Sequence, residues 1–303
     1  MSTSSEVGRS CLLDPSLRCA TGENPLWHEG ERRWYWLDLP ARAIFRLDPA
    51  SGSTLQWQVD EHLGCMVPRA DGGFTCGCVS GLFDVELPSA GGQALQRLRI
   101  AAAHARPDTR FNDGRCDRQG RLWVSGMVMN NTQALAVGCW YRYTPTEGLR
   151  CMDSGYVTPN GSAFSPDGRT LYTSDSFRDV CKVWAWDYDP ETGLVGGRRC
   201  FIDMHGAPGR PDGAAVDTDG CYWICCADGG CIQRYTPQGV LDQVWRTPML
   251  KPTMCAFGGE DMRTLLVTSM CRGPADLATD PEAGRLLMFR PGAQGIVEPR
   301  LAP

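Results

Sequence analysis

One short pattern punctuates the chain from end to end: a polar residue or pair, a brief apolar run, a tight turn, and a second strand-forming run. Residues 155–175 show it most fully. Asn160-Gly161 leads into Ser-Ala-Phe, Pro166-Asp167-Gly168 makes the turn, and Thr170-Leu171-Tyr172-Thr173 resumes an extended run. Variants return roughly every 45 residues, a spacing typical of repeat architectures. The first unit opens at Asn24-Pro25-Leu26-Trp27 and continues through short runs at 34–37, 43–47 and 55–59. Later units open at Gly64, Asn112, Asn160, Pro211 and Pro252. Short runs rich in β-branched and aromatic residues, bounded by Asp, Pro and Gly, read as strands joined by tight turns.

Six such units predict an all-β fold, a six-bladed β-propeller with four-stranded blades. A four-stranded unit cannot bury both faces alone, and radial packing gives each face a neighbour. A sandwich would show the short strands without the sixfold recurrence. Residues 11–303 read as one propeller domain, with 1–10 as a polar N-terminal tail. The segment 11–18 is expected to add a strand to the last blade and close the ring, removing open sheet edges.

Composition narrows the class. The net charge is -5 and the basic residues are scattered, Arg32-Arg33 and Arg198-Arg199 being the largest clusters. No nucleic-acid partner is expected. No apolar run of membrane-spanning length and no export signal are visible, so the expectation is a cytoplasmic protein without a membrane partner, a monomer or weak homodimer. The 16 cysteines fall largely inside strand-like runs and lack paired Cys-x-x-Cys spacing. Most are therefore expected to be buried thiols rather than disulfides or metal ligands.

In a propeller the first strand of each blade lines a central channel, so residues opening those strands converge at one end. Those positions hold Glu23, Asn112, Asn160 and Asp212, with Arg110 two residues before Asn112. Asn and Asp before Gly are turn formers first. Recurrence at several openings favours a shared polar site. Two carboxylates and two amides suit a hard divalent cation, and no histidine falls at an opening to suggest zinc. Asp71, Asp167 and Asp219 belong to outer turns and read as structural.

The strings Gly22-Glu23-Asn24-Pro25-Leu26-Trp27, Arg110-Phe111-Asn112-Asp113-Gly114, Pro159-Asn160-Gly161, Pro211-Asp212-Gly213 and Cys255-Ala256-Phe257-Gly258-Gly259 span nearly the whole chain in order. Together they resemble the SMP-30/gluconolactonase/LRE-like family, which includes regucalcin and bacterial sugar lactonases. The resemblance implies a propeller with one divalent cation held by Glu23, Asn160 and Asp212. Ca²⁺ is the first expectation, with Zn²⁺, Mn²⁺, Mg²⁺ and Fe²⁺ as alternatives. Arg110 and Asn112 would bind substrate and Asp212 would also accept a proton. Asn130 stands where some members carry a Glu and is a further substrate-binding candidate. The usual Gly-Glu-Ser-Pro form is Gly-Glu-Asn-Pro here.

The activity so implied is metal-dependent hydrolysis of a sugar-acid lactone to the aldonic acid. No Gly-x-Ser-x-Gly string supports covalent acyl chemistry instead. The alternatives are an organophosphate-type ester hydrolase, a calcium-binding regulatory protein without catalysis, and a bare interaction scaffold. The polar pair Arg110 and Asn112 fits an apolar phosphotriester poorly.

Overall fold

A computed structural model describes residues 3–14, 16–104 and 106–303. Positions 1, 2 and 15, which fall in the expected tail and ring-closing segment, lie outside the described residues. Six sheets, antiparallel apart from two added edge strands, are arranged as the blades of a propeller, with innermost strands Gly22–His28, Cys65–Pro68, Thr109–Cys116, Pro159–Phe164, Arg210–Val216 and Pro252–Gly258. In order the sheets contain five, four, four, four, five and three strands, so strand number varies around the ring.

The two five-stranded sheets gain their extra strand from elsewhere in the chain. Gly92–Gln93 pairs in parallel with the outer strand of blade one. Thr3–Glu6 pairs in parallel with Leu241–Arg246 of blade five. The expected ring closure takes a smaller form: segment 11–18 reaches blade six through one antiparallel bridge, Leu12 to Leu287, and the Leu13 N–H donating to Leu286 O at 2.9 Å. Among its described residues it makes no full strand, so blade six ends at Leu287–Phe289.

Inter-blade packing is aromatic and thiol-rich. Trp34, Trp36, Trp57, Trp123, Trp140 and Trp223 are all fully buried. They fill the layers between twisted sheets, where a large flat side chain spans the gap left by radial packing. Eleven of the sixteen cysteines are buried, and none forms a disulfide. Cys65, Cys76, Cys225 and Cys255 are almost completely shielded and act as small apolar groups.

Five of the six innermost strands break register near their start. The irregularity falls between Glu23 and Leu26, Phe111 and Gly114, Asn160 and Ala163, Pro211 and Ala214, and Pro252 and Cys255. Blade two pairs regularly from Cys65 to Pro68. A bulge leaves two residues opposite one, which bends the strand and re-aims side chains. Here the bulges lie at the end of the channel where the polar openings meet.

At the opposite end the C-terminal segment crosses the channel. Gly295 bridges to Asp217, and Leu301 bridges to Arg69. Leu301 N donates to Pro68 O at 2.8 Å and Ala302 N to Gly120 O at 2.9 Å. Beneath this strap Glu298 forms an ion pair with buried Arg115, whose Nη2 also donates to Ala214 O at 2.7 Å.

Candidate functional site

The bulges account for the site. Glu23 and Asn160 are the last paired residues before their bulges, while Asn112 and Asp212 are the first residues within theirs. Gly161 follows Asn160 with φ of 65°, and a Cβ there would lie 2.6 Å from both Ser174 Oγ and Tyr222 Oη. Only glycine allows that turn at that closeness. Asn24 has φ of 50° in the blade-one bulge, a conformation Asn tolerates better than most residues. Its amide donates to Met66 O at 2.9 Å and accepts from Met66 N at 2.8 Å. Asn24 thereby ties the residue beside Glu23 to the unbulged strand of blade two.

Glu23, Arg110, Asn112, Asn160 and Asp212 all line one cavity of about 80 Å³ at this end of the channel. A chain of hydrogen bonds connects them. Arg110 Nη1 donates to Asn112 Oδ1 at 2.7 Å and to Phe111 O at 2.9 Å. Asn112 Nδ2 donates to Pro159 O at 3.0 Å and, at 3.3 Å, to Asn160 Oδ1. Asn160 Nδ2 donates to Ser176 Oγ at 2.8 Å, and Ser176 in turn to Pro211 O at 2.5 Å. The amide nitrogens are thus taken up by the scaffold, which fixes the orientation of both amides.

The carboxylates are treated differently. Among the described residues no basic side chain lies within 4.0 Å of Glu23 or Asp212. Glu23 Oε2 receives only the N–H of Asn24, at 3.2 Å. Burial, with the charges of Asp212 and Asp113, holds the Glu23 carboxyl well above the usual carboxylate range. Burial likewise pushes the Asp212 carboxyl up to about 7, against the pull of Arg210. Burial lowers the Arg110 guanidinium to about 10, with Glu23 opposing that shift. Paired acids lacking a cationic partner are costly to bury in the ionised form.

A hard divalent cation would relieve that cost, and the donors present fit one: two carboxylates and the Asn160 amide oxygen, all oxygen ligands. Among the described residues there is no group of three or more His, Cys, Asp or Glu side chains placed to hold a metal. The set is instead mixed acid and amide.

Asn130 is placed otherwise. It is exposed, and its Oδ1 accepts from Thr132 N and Thr132 Oγ1 as the cap of a short turn, Asn131–Gln133. Its neighbour Asn131 lines the cavity. Sequence reasoning also passed over Arg210, Arg272, Thr158 and Ser176, which line the same cavity. Arg210 had a readable signal, since it precedes Asp212 by the same two residues that separate Arg110 from Asn112. Arg272 lies past the last residue of Thr264–Ser269, in a loop with no repeat context.

Acids, amides and arginines thus gather at one channel mouth of a six-bladed propeller. The sequence profile of the SMP-30/gluconolactonase/LRE-like region matches residues 21–271, and the chain belongs to that family. It is 37% identical to the 6-deoxy-6-sulfogluconolactonase of Pseudomonas putida, over 96% of this chain and all of that protein. It is 32% identical to the regucalcin of Danio rerio, covering 87% of this chain and 88% of that one. The crystal structure of a calcium-binding protein, regucalcin, from Agrobacterium tumefaciens superposes with a TM-score of 0.90 at 25% identity, over 99% of both chains.

Proposed function

We propose that the protein is a divalent-cation-dependent lactonase that opens a sugar-acid lactone to the aldonic acid. The observation that carries this reading is the convergence of Glu23, Asn160 and Asp212, without a basic partner for either acid, beside the Arg110–Asn112 pair. The relative from Pseudomonas putida, named for a gluconolactone, supports the substrate class. Glu23, Asn160 and Asp212 would hold the cation, with Ca²⁺ first among the candidates. Bound there, it supplies Lewis-acid stabilisation of negative charge on the carbonyl oxygen.

The remaining chemistry belongs to the chain. Arg110 and Asn112, locked to each other and to the backbone of blade four, bind the oxygens of the sugar and hold the ring in place. Asp212 takes a proton from water as the water oxygen bonds to the lactone carbonyl carbon. When the adduct collapses, the ring C–O bond breaks and the proton on Asp212 passes to the ring oxygen. Lactone and water thus become the open-chain hydroxy acid. One carboxyl at the channel mouth can serve both halves of this exchange.

The test is hydrolysis of a panel of sugar lactones and a phosphotriester by protein stripped with chelator, before and after divalent cations are restored. Cation-dependent hydrolysis confined to the lactones is the expected result. Tight Ca²⁺ binding with no lactone hydrolysis would overturn the reading in favour of a calcium-binding role, the property for which the Agrobacterium tumefaciens structure is described.

A further inference from the structure

The bulges that build the mouth also place a second tier of residues one step further along the inner strands. In each bulge two inner-strand residues face one partner residue, and the second of the two is Pro25, Asp113, Ser162, Gly213 or Met254. All five are buried, and Asp113 alone among them is ionisable. Asp113 is 7% exposed. It follows Asn112, which lines the cavity holding Glu23 and Asp212, but does not itself line that cavity.

Its two carboxylate oxygens differ. Oδ2 accepts from the Ser162 N–H at 2.7 Å, which ties Asp113 to the blade-four bulge two residues past Asn160. Oδ1 is buried with no hydrogen-bond partner among the described residues. Arg115, two residues on, is taken up by Glu298 and the Ala214 carbonyl. An amide oxygen would accept from Ser162 N equally well, without the cost of burying a charge. The hydrogen bond alone therefore does not account for an acid here. Burial comes first in raising the Glu23 and Asp212 carboxyls, and the charge of Asp113 adds to both. A third negative charge makes the empty mouth less stable and a cation-filled one more so.

We propose that Asp113 is a third acid of the cation site, acting through its charge from behind the cavity wall and setting how strongly the mouth favours cations of higher valence. This inference rests on the cation site of the lactonase reading and adds to it a residue that touches neither the cavity nor the substrate. Attraction between buried charges persists over several ångströms because little water lies between them. It is also screened little by salt, so the preference should hold as ionic strength rises.

The experiment titrates the chelator-stripped full chain with Ca²⁺ and with Tb³⁺ by calorimetry, wild type against D113N. That variant keeps an oxygen for the Ser162 N–H and removes only the charge. Ca²⁺ affinity should fall about tenfold. Coulomb attraction scales with the charge of the ion, so Tb³⁺ affinity should fall about thirtyfold. Stripped D113N should also melt above stripped wild type at pH 8, having one buried charge fewer. D113E should recover part of the preference for Tb³⁺, and D113S gives the same readouts should D113N fail to fold. A merely structural role predicts a lower melting temperature and equal losses for the two ions. Either of those results, or unchanged affinities, overturns the assignment and leaves the lactonase reading intact. If wild type binds the cations but hydrolyses no lactone, the lactonase reading fails while the two affinities still decide the role of Asp113. A wild-type chain that binds neither ion overturns both.

Discussion

The two ends of the channel contrast in how they treat charge. At the strap end Arg115 is buried against Glu298 and the Ala214 carbonyl, so the guanidinium meets both an opposite charge and an acceptor. Among the described residues at the open end, the acids Glu23 and Asp212 have no basic partner within 4.0 Å, and Arg110 and Arg272 have no acidic one. Matched charges close a structure. Unmatched charges of both signs, held by a rigid scaffold, are what a site needs to bind ions and substrate. The same inner strands supply both ends, and the bulges near their starts make the difference.

The sharpest way to break this contrast is at Asp212. Asp212→Asn keeps the size and one oxygen donor but cannot accept a proton near neutral pH. Lactone turnover at saturating cation should fall by ~10²–10⁴, the usual contribution of a general base. Turnover within a few-fold of wild type at full cation occupancy would reduce Asp212 to a ligand.

At the other end the effect should appear in stability instead. Glu298→Ala leaves Arg115 buried with one backbone acceptor, and removing one member of a buried pair costs about 3 kcal/mol. Chemical denaturation should register that loss while lactone kcat stays close to wild type. A Glu298→Ala protein as stable as wild type would show that the strap seals by its backbone bonds alone.

Arg110→Ala tests the division of labour inside the open end. Removing a charged hydrogen-bonding group should lower kcat/KM roughly ten- to a hundredfold, and cation affinity measured by calorimetry should persist. Lost cation binding in a folded variant would mean that Arg110 positions the acids rather than the substrate.

The smallest expected effect is on melting temperature. In chelated protein the raised Glu23 and Asp212 carboxyls bind protons that the unfolded chain releases near ~4. Stability should therefore fall as pH rises from that range through about 7, the value to which Asp212 is pushed. Added Ca²⁺ should offset the loss, raising the melting temperature more at pH 8 than at pH 5, where protons compete for the same oxygens. An equal shift at both values would place the cation elsewhere.

Much of the blade layout was legible in the sequence because each blade repeats the same local chemistry. Asp167, for example, accepts from Arg169 N at 3.0 Å, the turn role its Pro-Asp-Gly setting implies. The meeting of Glu23, Arg110, Asn112, Asn160 and Asp212 followed from their place at strand openings. Features without a repeat were not legible. Thr3–Glu6 is a largely exposed polar run whose strand state depends on the edge of blade five, not on its own alternation. The strap touches the blades through isolated bridges, which leave no periodic trace. Asn130 and Asn131 are adjacent amides, and only the turn geometry decides which one faces the cavity.

The strap also has a mechanical meaning. Tension applied at Pro303 would load its bonds one after another, first Ala302 to Gly120, then Leu301 to Pro68, and later Gly295 to Met262. Bonds loaded in series yield at low force, whereas the inner strands of the ring are gripped along their length by neighbours on both sides. Pulled from its C-terminal end in a force spectrometer, the molecule should release the strap as a short early step. The ring, with its open mouth still assembled, would rupture only at higher load.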